Sequence, residues 1–265
     1  MLKLHAERFT NLLQFTAQME VIIASAQVHN EEAWEKLREN TNNAAQTCEE
    51  MGLYLSAKPL RSLALILRSD SSGWPMEQQG YFRDAMARLR DELSSVTLLE
   101  LDAKDRGFFE PDAPLFGPDF ATKFPSNGAF ELEEAAKCIA LGRSTASVFH
   151  LMRLMEIAVR AVARCLGIPD PLQPADRSWG AVLNKVRDAI TAKWPTVAAR
   201  SSGDGEIFDS LYASLDAVKN PWRNATMHPA NKYTAEEAEN VFAAVKGFMM
   251  KLASRCDENG DPKAP

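Results

Sequence analysis

Apolar residues recur at helical intervals along most of the chain. Between Leu4 and Val28 they fall at Phe9, Leu12, Leu13, Phe15, Met19, Ile22 and Ile23, with no Gly or Pro to break a helix. Asn30 is placed to cap a second helix that runs through Trp34 and Leu37 towards Met51, and Glu31 and Glu32 suit the positive end of its dipole. Gly52 marks an interruption. Pro59 fits the first turn of a short apolar helix over 60–68, and Ser69-Asp70-Ser71-Ser72-Gly73 reads as a loop. A further helix is expected from Glu77 to Leu101.

Residues 107–128 break this rhythm. Pro111, Pro114, Pro118 and Pro125, with Gly107, Gly117 and Gly128, deny both a long helix and a central strand. Five rings, Phe108, Phe109, Phe116, Phe120 and Phe124, are too apolar for a solvated linker, so the segment is expected to be an ordered loop packed across the two halves. It is also the best domain boundary, separating an N-terminal helical region (1–127) from a C-terminal one (128–257) and a fraying tail (258–265).

The helical pattern resumes at Phe130 and stops at Gly167-Ile168-Pro169, with Gly142 a possible division. Its part from Val148 to Leu166 is apolar on most faces, as expected of a central helix or an oligomer contact. Ser178 caps a helix over 179–192, and another follows from Glu206 to Lys219. Thr234-Ala235-Glu236-Glu237 fits a capping box opening a helix to Arg255. The fold class is therefore all-α, and the four helices of the second half suggest an antiparallel four-helix bundle.

The 265 residues suit one large domain or two small ones, and 46% hydrophobic with 25% charged residues is ordinary globular composition. A net charge of −6 excludes a protein that coats duplexes through surplus positive charge. The imbalance lies wholly in residues 1–127, with 13 bases against 19 acids, whereas 128–265 hold 17 of each. Any phosphate-binding groove is thus expected in the second half. No run approaches the roughly 20 apolar residues of a membrane span, and the charged start lacks the apolar core of a secretory signal. Cys48, Cys138, Cys165 and Cys256 are scattered without a Cys-x-x-Cys pair, which argues against zinc and a disulfide scaffold and for a cytoplasmic setting. No Walker loop, dinucleotide fingerprint or Gly-x-Ser-x-Gly is present, so no cofactor is expected.

One segment between the last two predicted helices concentrates reactive groups: Asn220-Pro221-Trp222-Arg223-Asn224-Ala225-Thr226-Met227-His228-Pro229. Pro229 disfavours a helical conformation at His228, which places that imidazole at a helix end or turn. A guanidinium offers permanent charge and a donor fork matched to phosphate oxygens, and an imidazole moves protons near neutral pH. Arg223-Asn224-x-x-x-His228 resembles the Arg-x4–6-His signature of the HEPN superfamily, in which a polar residue often follows the Arg. The stretch Phe149-His150-Leu151-Met152-Arg153-Leu154-Met155-Glu156 resembles the long bundle helix of bacterial HEPN-like proteins. The resemblance spans residues 130–255, about half the chain.

That resemblance implies a metal-independent endoribonuclease of a bacterial defence, toxin–antitoxin or stress system, acting on single-stranded RNA as a homodimer with two facing motifs. His228 would handle protons while the RNA 2′-hydroxyl attacks the adjacent phosphate, Arg223 would stabilise charge on the phosphoryl oxygens, and Asn224 would position a phosphate or the imidazole. An antitoxin or regulatory protein is an implied partner, and the acidic first half would cover the site or bind such a partner. The spacing is met a second time by Arg143 and His150, which on one continuous helix would share a face. Trp222 has the face to stack on a base, or packs at a helix boundary. Glu156 would orient the motif, or pairs with Arg153 or Arg160 at helical spacing. The alternative from another class is a non-catalytic dimeric helical interaction module with the same fold.

Overall fold

The structure is a computed structural model that describes residues 6–25, 31–67, 76–97, 99–170, 178–218 and 232–262. Among the described residues it contains twelve α-helices and no strand. The chain divides into two compact units, Met1–Leu99 and Glu100–Pro265, each with its own hydrophobic core.

The first unit holds α1 (Ala6–Ser25), α2 (Glu31–Glu50), α3 (Tyr54–Ile66) and α4 (Met76–Ser94). Leu12, Phe15 and Met19 of α1, and Trp34, Leu37, Thr41, Ala44 and Cys48 of α2, recur at three- or four-residue steps and are buried, as are Leu60, Leu63, Phe82 and Leu89. Phe15 meets the Phe82 ring edge-on at 6.0 Å. Arg8 in the first turn of α1 pairs with Glu50 in the last turn of α2, so the two helices run antiparallel.

Helix α3 departs from the expected 60–68. It starts six residues earlier, and Pro59 lies inside it. The cause is a carboxylate from another helix. Glu92 of α4 accepts from the Leu55 N–H at 3.1 Å, from the Ser56 N–H at 2.7 Å and from the Ser56 hydroxyl, which satisfies the first-turn donors that a helix leaves open. Helix α4 in turn ends at Ser94, short of Leu101.

The second unit begins upstream of the expected boundary at 127. Residues 107–128 form no extended loop: they include the end of α5 (Ala103–Phe109), all of α6 (Gly117–Lys123), and the start of α7 (Asn127–Ala140). Phe116, Phe120 and Phe124 are buried in the core of this unit, and Phe116 and Phe108 meet Phe242 at 5.1 and 5.3 Å. Burial of these rings assigns the segment to the second unit.

Gly142, at φ +66°, divides the long pattern into α7 and α8 (Ser144–Cys165), and Gly167, at φ +77°, follows the end of α8. Helix α8 is central. It packs on α7, on α9 (Trp179–Lys193) and on α12 (Ala235–Ala253), with Val148, Leu151, Leu154, Met155, Ala158 and Val162 all buried. Most of its apolar surface is therefore covered within the chain, with Phe149 left exposed. Between α9 and α12 lie the four-residue α10 (Val197–Arg200) and α11 (Gly203–Val218), which packs on α9 and α12.

Two local caps match the sequence. Ser178 accepts from the Ala181 N–H at the start of α9, and Thr234 with Glu237 forms both bonds of a capping box on α12. The tail does not fray over its described part. Glu258 accepts from the backbone N–H groups of Ser126, Asn127 and Gly128 at 3.2, 2.9 and 3.3 Å, capping α7, and its own N–H donates to the Lys123 carbonyl. Gly260, at φ +83°, sits so close to α8 that a Cβ there would lie 2.4 Å from Arg164 Cβ and 2.8 Å from the Ala161 carbonyl oxygen. Polar composition concealed these tertiary bonds.

Candidate functional site

Arg223, His228, Asn224 and Trp222 all lie outside the described residues, within 219–231. On either side the chain is held. Helix α11 ends at Val218, and on return the Tyr233 N–H donates to Thr145 Oγ1 at 3.0 Å, near the start of α8. Tyr233 packs against the core of the second unit, and Thr234 opens α12 with its capping box.

Arg143 and His150 do not share one helical face. Gly142 ends the helical run between α7 and α8, and Arg143 takes the N-cap position of α8 at φ −94°, ψ 57°, exposed to solvent. His150 turns instead to a residue that sequence spacing did not single out. Its Nδ1 lies 2.8 Å from Oε2 of Glu131 on α7, while Oε1 of the same carboxylate accepts from Arg153 Nε at 2.7 Å and from its terminal nitrogen at 2.6 Å. The Glu131 side chain is only 4% exposed. A carboxylate so far from water needs strong partners, and two basic groups one turn apart on α8 provide them. Arg153 is thus engaged with Glu131, and Glu156, half-buried one turn further along α8, belongs to the same helix.

The cysteines fall into distinct environments. Cys48 is buried in the first unit, and burial, with the nearby Glu92 and Glu49 carboxylates, pushes its thiol up to about 12. Cys138 on α7 is half-buried and is raised by burial and Glu134. Cys165 is the last residue of α8, and Cys256 lies just beyond α12. The influence of Cys256 lowers the Cys165 thiol, with Lys193 assisting and burial opposing, and that of Cys165 raises Cys256 together with burial. Cys256 is fully buried and Cys165 half-buried. Nothing in the scattered cysteine spacing foretold these environments.

Elsewhere, a cleft of about 490 Å³ runs along α1 and α2, with Asn11, Gln14, Gln18, Asn40, Asn43 and Gln46 among its lining. Among the described residues, no group of three or more His, Cys, Asp or Glu is arranged to hold a metal ion, and no helix is long and apolar enough to cross a membrane. No family model, no curated protein and no solved structure matches the chain.

Proposed function

We propose that the protein is a metal-independent endoribonuclease of the HEPN type, serving a bacterial defence, toxin or stress system. The observation that carries this reading is the motif Arg223-Asn224-x-x-x-His228 on the segment joining α11 to the capped α12. Its setting agrees with the reading. Helix α8 packs on α9, α9 on α11, α11 on α12 and α12 back on α8, the closed ring of neighbours expected of a four-helix bundle. Charge agrees too, because the second half carries no net repulsion for a polyanion while the first half does.

In this mechanism His228 takes the proton of an RNA 2′-hydroxyl as its oxygen attacks the neighbouring phosphorus. Arg223 holds the phosphoryl oxygens as charge builds on them, with Asn224 positioning the phosphate. The 5′ oxygen of the next nucleotide leaves and gains a proton, which yields a 2′,3′-cyclic phosphate and a 5′-hydroxyl. Two chains pair so that their motifs face one site. The second pair does not compete in this scheme, because the His150 imidazole is engaged with the buried Glu131 while Arg143 stands at the N-cap of α8.

The test is incubation of the purified full chain with generic single-stranded RNA in chelator. Cleavage with cyclic-phosphate ends is expected, falling at least about 100-fold in both His228→Ala and Arg223→Ala, the scale of a lost general base or charge stabiliser. Equal cleavage by all three proteins refutes the assignment. Absence of cleavage by any of them favours the second reading, a non-catalytic helical interaction module, to which the net charge of −6 lends support.

A further inference from the structure

We infer that the cleft between α1 and α2 in the first unit binds an extended peptide segment of a partner protein, reading its backbone with carboxamides and holding one acidic side chain at Lys36. The lining is built of amide ladders. Asn11, Gln14 and Gln18 stand at steps of three and four on α1, and Asn40 and Asn43 stand three apart on α2. Such steps put side chains on one helical face. In the antiparallel register that Arg8 and Glu50 fix, Gln18 comes across from Asn40 and Gln14 across from Asn43. Leu12 and Ala44, both buried, make an apolar floor.

Packing and local bonding give these amides no task. Among the described residues, the side chains of all five make no hydrogen bond. Asn40 and Asn43 nevertheless lie inside a helix, where Asn is a weak former because its amide competes for backbone groups. Charge is sorted as well. Helix α2 carries six carboxylates and two basic residues, yet Lys36 is the charged residue it turns to the cleft, and no carboxylate of a described residue lines it. Arg8 at the far end is paired with Glu50, whereas Lys36 makes no ion pair among the described residues. The cleft thus offers neutral donors and acceptors along its length and one open cation a turn before Asn40.

A polypeptide backbone fits this lining. It alternates an N–H donor with a C=O acceptor, and a carboxamide supplies both complementary groups. From Asn11 to Gln18 the ladder covers about 10 Å at roughly 1.5 Å per residue, a length that three or four residues of extended chain follow at about 3.3 Å each. A cleft of about 490 Å³ is within the range of sites for ligands of that size. A nucleic-acid strand fits poorly. It would bring a phosphate with every nucleotide to a single open lysine, and Phe15, at 5% exposed, offers no face on which a base stacks. Lys36 then pairs with an Asp or Glu of the segment, in an exposed ion pair of modest strength. This binding is independent of Arg223 and His228.

Selecting a phage-displayed random heptapeptide library on the immobilised full chain tests this, with fluorescence anisotropy then run on the enriched sequences as synthetic, C-terminally amidated probes. Those sequences are expected to share an Asp or Glu, and their binding to weaken at least about 5-fold in Lys36→Glu and in Asn43→Leu. Methylating the peptide's backbone nitrogens beside the acid is expected to weaken it by a similar factor, a loss that recognition through side chains alone would not produce. His228→Ala is expected to bind as the wild type does, which separates this site from the nuclease reading. Lys36 and Asn43 are both exposed, and circular dichroism establishes that their variants are folded. No enrichment over the bare support, or peptides that bind Lys36→Glu and Asn43→Leu as tightly as the wild type, overturns the proposal.

Discussion

Single residues govern where this fold is sensitive to charge. The Cys48 thiol, with an ordinary value near 9.0, is pushed to about 12 by its burial in the first unit. The folded chain therefore holds this proton more tightly than the unfolded chain. The associated stability is complete below pH 9 and is lost as pH climbs towards 12, by up to about 4 kcal/mol at roughly 1.4 kcal/mol per unit. Urea unfolding at pH 8 and pH 11 is expected to show a steeper loss for the wild type than for Cys48→Ala, and equal losses would rule the effect out. Glu131 makes a second residue-scale case. Glu131→Gln keeps the shape but removes the charge shared by His150 and Arg153, so a cost of about 1–3 kcal/mol is expected in the same denaturation experiment. An unchanged midpoint would mean that the bonds are worth nothing net. Neither site was readable from spacing. Glu131 lies 19 and 22 residues from its partners, and only the packing of α7 on α8 brings them together.

At the scale of elements, the distinction that decided legibility is between local and distant caps. Ser178 and Thr234 cap the helix that follows them at once, so the residue and its target stand three positions apart and the motif is visible in the sequence. Glu92 and Glu258 cap α3 and α7 from 36 and more than 130 residues away, and no short-range rule sees them. That is why the sequence pattern predicts too late a start for α3 and a fraying tail. The two kinds of cap also differ in cost. Thr234→Ala removes one side-chain acceptor and is expected to cost about 1 kcal/mol. Glu92→Ala strands two backbone donors and the Ser56 hydroxyl, with about 2–3 kcal/mol expected, and it should accelerate amide exchange at Leu55 and Ser56 before the rest of α3. If Thr234→Ala proves the more damaging of the two, the distant cap is not what holds α3 in place.

At the scale of the whole molecule, the proline- and phenylalanine-rich stretch decides where an autonomous folding unit begins. Composition alone makes 107–128 look like a boundary, because four prolines interrupt regular structure there. The rings say otherwise. Phe116, Phe120 and Phe124 are 2% exposed or less, and among the described residues the core they enter draws on none before Phe108. Fully burying a phenylalanine contributes about 1.5–3 kcal/mol, so removing three of them takes away much of the roughly 5–15 kcal/mol by which a domain is stable. A fragment of residues 100–265 is therefore expected to unfold in one cooperative transition with dispersed amide resonances. A fragment of residues 128–265 retains every long helix of the unit, but is expected to bind a hydrophobic dye, melt broadly or precipitate. Equivalent cooperative melting of the two fragments would show that the aromatic segment only decorates the second core. Unequal behaviour would place the start of the second folding unit among residues that their composition had marked as a divider.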